Sequence, residues 1–466
     1  MIPIRAASSV WRQTALKSRR SLTPFALSGS HDLHTSRFHT TPSHRSSVTI
    51  EPEGLRITFP QESQPRIFPY AWLRDSDPQL IHPHTRQKIH STIHVPVDVK
   101  PLEAKVSEDG AEVNITWAQT AEQQSSSSIQ WPSTSSFPIE FLKQQANPKS
   151  VRAYHNDISP IYWSKSMLAD AKSLHLDYNA IMTTDGGLLA ACQQLLTYGI
   201  VFVHDIPSKY TDDATTSLPH LAERFGCIRQ TFYGRVWDVQ SRGADSRNVA
   251  YTDLDLGLHT DLQHFENPPR YQILHMLRCR GVIGGESILS DAFRAAHALN
   301  REAFDTLATE PVAFHYENDG HHLYREHTTI QLAPPGSHMW QGKDKPVIQH
   351  INYSPPFQAP LPLRTAQNPR FLPSLKTFSK ELTSPEALFE YQMEEGTAVM
   401  FDNRRVLHGR REFKNTSTKQ WHEARKEGAS GVDEVGVRWL KGCYVEAEGV
   451  VDRLNILTER AKADTQ

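Results

Sequence analysis

The sequence predicts a mainly β protein with flanking helices, and three observations carry that reading. Near the start, EGLRITFP and AEVNITWAQ alternate apolar and polar residues as half-buried strands do. Later, short apolar runs recur at IVFVHDIP, YQILHML, ESILSDA, VIQHINY, AVMFDN and VRWLKGCYV, each too short for a helix and rich in β-branched or aromatic residues. Helical periodicity is confined to a few stretches, GLLAACQQLLTYG, SLPHLAERFG and EGVVDRLNILTERAKA.

Taken in order, residues 1–47 differ in kind from the rest. Arg5, Arg12, Lys17, Arg19 and Arg20 occur among Ser, Thr and Ala with Asp32 the only acid before Glu51, the pattern of a mitochondrial transit peptide; a basic leader without fixed structure is the alternative. A small β-rich domain is expected over 48–141, its first strand running from Val48 to Phe59. The Ser/Gln-rich QQSSSSIQWPSTSSFP within it predicts a mobile loop, because it cannot bury a core. Residues 142–176, polar and proline-containing, read as a linker. The second domain, 177–460, opens with a helix stopped by Gly199 and a buried strand. Another helix closes at Gly226, and a run of strands follows, interrupted by LAPPGSHMWQGKDKP and ARKEGASGVDEVG. The last helix should pack outside a sheet.

Composition removes several function classes. A net charge of -2 provides no basic surface for nucleic acid, and no apolar run is long enough to span a bilayer, so neither a nucleic-acid nor a membrane partner is expected. Four cysteines, Cys192, Cys227, Cys279 and Cys443, form no CxxC pair and predict buried thiols in place of disulfides or a cysteine-built metal site.

The candidate chemistry lies in LHTD and VLHGR. In a strand, residues i and i+2 share a face, so His259 and Asp261 could converge on one ion with Thr260 turned away. His408, following a strand and a turn, could supply a third ligand from a neighbouring strand. Two imidazoles and a carboxylate on one face of an octahedron leave three positions open, as non-haem Fe(II) oxygenases require. With 24 histidines in the chain, an isolated His-x-Asp pair also has a plain reading as hydrogen-bonded or surface residues. Arg438, in an apolar strand, suits the distal carboxylate of a 2-oxoglutarate cosubstrate, since a guanidinium stays charged when buried and binds a carboxylate through two bonds. Ser287 could add a hydroxyl.

At these residues the sequence resembles the gamma-butyrobetaine dioxygenase and trimethyllysine dioxygenase family, within the taurine-dioxygenase-like superfamily. The resemblance runs from YAWLRDSD at Tyr70 to DRLNIL at Asp452, through TFYGRVWDVQ, NVAYT, LHTD, GGES, FDNRRVLHGR and LKGCY. It implies a double-stranded β-helix (jelly-roll) catalytic domain behind a small N-terminal domain, Fe(II), 2-oxoglutarate and O2 as cosubstrates, ascorbate as reductant, and a homodimer. By motif, His259, Asp261 and His408 match the iron ligands and Arg438 the 2-oxoglutarate arginine.

The resemblance extends to a substrate. A trimethylammonium group has charge but no donor hydrogen, so aromatic faces must hold it. Tyr233, Trp237, Tyr251 and Tyr444 match the family's aromatic cage, and Asn248 a residue near the substrate carboxylate. Tyr444 lies an even offset from Arg438, so a continuous strand points both inward. The implied reaction is hydroxylation of gamma-butyrobetaine to L-carnitine in the mitochondrial matrix, NVAYT leaning toward that enzyme. Trimethyllysine or another betaine is the alternative substrate, and a zinc hydrolase or a non-catalytic betaine-binding protein the alternative of another class.

Two departures stand out. Relatives usually carry a cysteine-rich zinc site after WLRD; WLRDSDPQLIHPHTRQK has no cysteine, so structural zinc is expected to be absent, with His82, His84, His90 and His94 as solvated loop residues. Ser354 stands where relatives tend to have an asparagine that serves the substrate carboxylate.

Overall fold

The computed structural model describes residues 45–60, 62, 64–118, 131–240, 252–335, 346–415 and 437–465. The leader expected over 1–47 therefore falls almost wholly outside the described residues, as do most of the two long insertions.

The first part of the chain forms two three-stranded antiparallel sheets. Ser47–Glu51, Gly54–Thr58 and Arg66–Phe68 make one, where a single strand from Val48 to Phe59 was expected. The break falls at Pro52, whose ring fixes φ and removes the N–H a ladder needs. The second sheet is Pro101–Val106, Glu112–Trp117 and Thr134–Pro138. Its last strand corrects the expectation of a loop through TSSFP: that segment pairs with Glu112–Thr116 and buries Phe137 completely, so period-2 alternation outweighs a Ser-rich composition. Val113, Ile115 and Trp117 face the same core, beside a buried Arg74 that pairs with Asp77 and lies over the Trp117 and Trp131 rings. His90 is also corrected. Its ring is buried against Trp131 and its Nε2 lies 3.2 Å from Asp75.

The stretch 142–176, read as a linker, carries the helices Pro148–Tyr154 and Lys165–Asp170 and packs down through Trp163, Leu168 and Leu174. Trp163 donates its indole N–H to the Tyr198 carbonyl at 2.8 Å. Its backbone N–H reaches Asp291, which also holds Arg405 through two bonds at 3.1 and 2.8 Å.

Beyond it, Thr184 caps the helix Asp185–Tyr198, and Gly199, at φ 76, ends it in the left-handed region. The strands that follow alternate between two facing sheets. The six-stranded sheet has the order His175–Asp177, Ile200–His204, Ala398–Asp402, Tyr271–Arg280, Val437–Val445, Trp237–Gln240. The four-stranded sheet runs Leu256–His259, Val406–Arg410, Ser287–Asp291, Phe389–Tyr391. From Trp237 the chain visits the six-stranded, four-stranded, six-stranded and four-stranded sheet, and after an insertion returns through four, six, four and six. This winding is a double-stranded β-helix.

The insertion, residues 292–388, holds the helices Ala292–Ala298, Arg301–Thr309 and Phe371–Leu382, which were not anticipated although Asn300 caps one of them through the Ala303 N–H at 2.8 Å. The helix Ala447–Ala463 lies outside the larger sheet with Val450, Leu454 and Leu457 buried. It approaches the helix Leu218–Phe225 through Gly449 and Gly226, where a Cβ on Gly449 would come within 2.6 Å of the Gly226 Cα. No helix among the described residues is long and apolar enough to cross a membrane.

Candidate metal centre and cosubstrate pocket

The β-helix brings the three proposed ligands together between its sheets. Strand register sets two of them: His259 and His408 are direct Cα partners on neighbouring antiparallel strands, and their rings lie 4.3 Å apart. The third arrives differently from the expectation. The strand ends at His259, so Asp261 is not its i+2 neighbour on a pleat. A bend brings Asp261 back, with Leu262 at φ 58. One ligand atom from each of the three residues lies within 4.8 Å of the others, and among the described residues no other group of three His, Cys, Asp or Glu does so; the four histidines between His82 and His94 form none.

The protonation states suit a cation. His259 Nδ1 lies 2.9 Å from the Gly257 carbonyl, which can only accept; Nδ1 therefore carries a hydrogen and Nε2 is turned toward Asp261, 3.3 Å from its Oδ1. Burial, reinforced by His259, pushes the His408 imidazole down to about 3, so it is neutral at physiological pH. Burial alone would raise the Asp261 carboxyl, but the imidazoles of His259 and His408 and the Tyr444 hydroxyl hold it well below the usual carboxylate range. Two imidazoles and one carboxylate on one side of a point fit a divalent iron with open positions.

Tyr444 has a second contact that its place in the aromatic set did not suggest. Its hydroxyl donates to Asp261 Oδ2 at 2.9 Å while its ring lies 4.3 Å from Trp237. Tyr233 and Trp237 line the same cavity, with Phe357 added. Asn248 and Tyr251 lie outside the described residues. Ser354 is buried, is not part of the cavity lining, and its hydroxyl has no hydrogen-bond partner among the described residues.

Arg438 lines the same cavity, buried, with Nε donating to the Gly285 carbonyl at 3.1 Å. Among the described residues no carboxylate makes a salt bridge with it. Burial and the neighbouring Arg410 push its guanidinium down to about 9, still charged at neutral pH. Ser287 also lines the cavity and is the Cα partner of Arg410. Arg438 and Tyr444 both face inward, as their even offset on one strand requires.

Arg410 was missed, although it stands two residues after His408 on the same strand and so must share its face. Its guanidinium lies over Phe413 at 4.8 Å, with Arg438 over the same ring at 5.9 Å. Gln272 was missed as well; it is buried on the cavity wall and its Oε1 has no partner among the described residues. A buried acceptor without a partner among the described residues, on the wall of a cavity, is an expected feature of a pocket shaped for a polar ligand.

The chain is similar to several known proteins. Residues 164–425 match the model of the taurine catabolism dioxygenase TauD, TfdA family. The chain is 40% identical over 418 residues to Dioxygenase str8 of Strobilurus tenacellus, covering 89% of both. It is 27% identical to the mitochondrial trimethyllysine dioxygenase of Gallus gallus, covering 90% of each chain. It is also 27% identical to gamma-butyrobetaine dioxygenase of Pseudomonas sp. strain AK-1, covering 87% of this chain and 94% of that one. Among solved structures, the non-heme iron oxygenase OrfP in complex with Fe and alpha-ketoglutaric acid aligns at 15% identity and a TM-score of 0.41, over 64% of this chain and 91% of that one. On the matched half of its length and its 40% relative, this chain belongs to the TauD, TfdA family of dioxygenases.

Proposed function

We propose that the chain is an Fe(II)- and 2-oxoglutarate-dependent dioxygenase that hydroxylates a trimethylammonium carboxylate, with gamma-butyrobetaine to L-carnitine as the leading reaction. One observation carries the reading: His259, Asp261 and His408, a buried guanidinium with no carboxylate partner among the described residues, and the rings of Tyr233, Trp237, Phe357 and Tyr444 line a single cavity. When bound, Fe(II) with 2-oxoglutarate and O2 supplies the oxidising power for attack on an unactivated C–H bond.

The chain's own residues do the rest. His259, Asp261 and His408 hold the metal, and Arg438, with Ser287 beside it, receives the distal carboxylate of the cosubstrate. Tyr233, Trp237 and Tyr444 offer π faces to a cation that cannot be hydrogen-bonded, and so aim the carbon chain attached to it. Asn248 and Tyr251 complete this reading of the substrate end, ascorbate serves as reductant, and the basic leader directs the protein to mitochondria, where the trimethyllysine relatives are named as residing. The homodimer belongs to the same proposal.

A second substrate is favoured by two observations. Ser354 is not on the cavity wall, and identity to Dioxygenase str8 exceeds that to either betaine enzyme. Succinate release with gamma-butyrobetaine and trimethyllysine side by side separates the readings. Gamma-butyrobetaine should stimulate release; stimulation by trimethyllysine alone would move the substrate, and stimulation by neither would remove the betaine class.

Tyr444 can be tested through its two contacts. Tyr444→Phe keeps the ring and should leave the KM for a betaine nearly unchanged while weakening metal binding. Tyr444→Ala should raise that KM by roughly five- to thirty-fold, the worth of a desolvated cation–π contact. An unchanged KM in the alanine variant would remove Tyr444 from the cage.

A further inference from the structure

We infer that Asn403 is a positioning residue for the metal ligand Asp261, fixing it through a strained bend at Leu262; this rests on reading His259, Asp261 and His408 as a metal centre. Asp261 stands outside any strand, so no ladder holds its backbone. Asn403 supplies what a ladder would. Its Oδ1 accepts the Asp261 N–H at 2.7 Å, and its Nδ2 donates to the Asp261 carbonyl at 3.2 Å and to the Pro269 carbonyl at 3.0 Å. The residue before is held too, by Thr260 N–H and Oγ1 on the Tyr353 carbonyl at 2.8 and 3.0 Å.

The residue after Asp261 shows why such a clamp is needed. Leu262 sits at φ 58, in the left-handed region that a branched apolar side chain avoids, and it is buried. A strained conformation persists only where its surroundings over-determine it, and such residues cluster at functional sites. Asn403 is completely buried, and its own N–H is tied to the Arg270 carbonyl at 2.6 Å. It lies in the turn between Ala398–Asp402 and Val406–Arg410, five residues before His408. One turn therefore fixes both ligands: it starts the strand that carries His408 and grips the backbone that carries Asp261. Tyr444 then orients the carboxylate from its far side.

The test is Mn(II) binding by the full-length protein without cosubstrate, followed by the EPR signal of free Mn(II), with circular dichroism to establish folding. Asn403→Ala should weaken binding by roughly 10- to 100-fold, the usual cost of removing a partner that orients a metal ligand. Asn403→Asp, which keeps the acceptor and loses both donors, should also bind less tightly, and stands in should the alanine variant not fold. The decisive arm is rescue. Leu262→Gly tolerates positive φ without strain, so adding it to either Asn403 variant should recover most of the lost affinity, whereas a purely structural Asn403 would gain nothing from a change at 262. Parent-like Mn(II) affinity in the Asn403 variants, or no recovery in the double variant, overturns the inference. A parent that binds no Mn(II) overturns the metal centre itself.

Discussion

His408→Ala should abolish metal-dependent 2-oxoglutarate turnover, with a loss well beyond the roughly 10- to 100-fold that even outer partners of a metal ligand cost. His408 is one of the three proposed ligands, and among the described residues no other group of three His, Cys, Asp or Glu comes together to replace it. The variant retains one imidazole and one carboxylate, too few to hold a divalent ion against water. Its fold should survive, because the ladder of Val406–Arg410 to Leu256–His259 and Ser287–Asp291 depends on backbone bonds and the lost ring leaves only its packing on Phe401 and His259. Succinate formation and Mn(II) binding measured side by side check it. Parent-like turnover in a folded variant would remove His408 from the site.

Arg438→Met should raise the KM for 2-oxoglutarate by roughly 30- to 1,000-fold, corresponding to the ~2–4 kcal/mol lost when one partner of a buried charge pair is truncated. Methionine fills much of the volume and removes only the cation. Mn(II) affinity should be little changed, since Arg438 touches none of the three ligands. The stability of the protein without ligands should move the other way. A guanidinium buried against Arg410, with one carbonyl at 3.1 Å and no carboxylate among the described residues, destabilises the empty pocket. The variant should therefore melt no lower than the parent while losing its cosubstrate, the signature of a residue kept for binding at the expense of stability. An unchanged KM would reassign Arg438 to a structural role.

Much of this was legible in the sequence where local period and global fold agree. The strands of the β-helix are short apolar runs between turn residues, and the helix Asp185–Tyr198 is bounded by Thr184 and Gly199 as its sequence requires. The convergence of His259, Asp261 and His408 was legible, but the reason that joins them was not. Period-2 alternation would place Asp261 on a pleat, whereas the structure places it in a bend fixed by Asn403, Tyr353 and a strained Leu262, contacts between residues about 90 to 140 positions apart that no local pattern encodes. The same alternation that points Arg438 and Tyr444 inward puts Arg410, two residues after His408, on the cavity face. Helices of the insertion went unread because their apolar faces are short and rest on Asn300 and packing against Phe371–Leu382 more than on a long periodic run. The first strand was overextended because Pro52 sits within an otherwise alternating run, and TSSFP was read by composition where its pairing with Glu112–Thr116 decides.

The most direct test of the proposed centre is an anaerobic titration of the full-length protein with Fe(II) and 2-oxoglutarate, followed by visible absorption. The expected result is a charge-transfer band that needs both additions, is missing in His408→Ala, and requires far more 2-oxoglutarate in Arg438→Met. A parent protein that gives no band at saturating Fe(II) and 2-oxoglutarate would contradict the account.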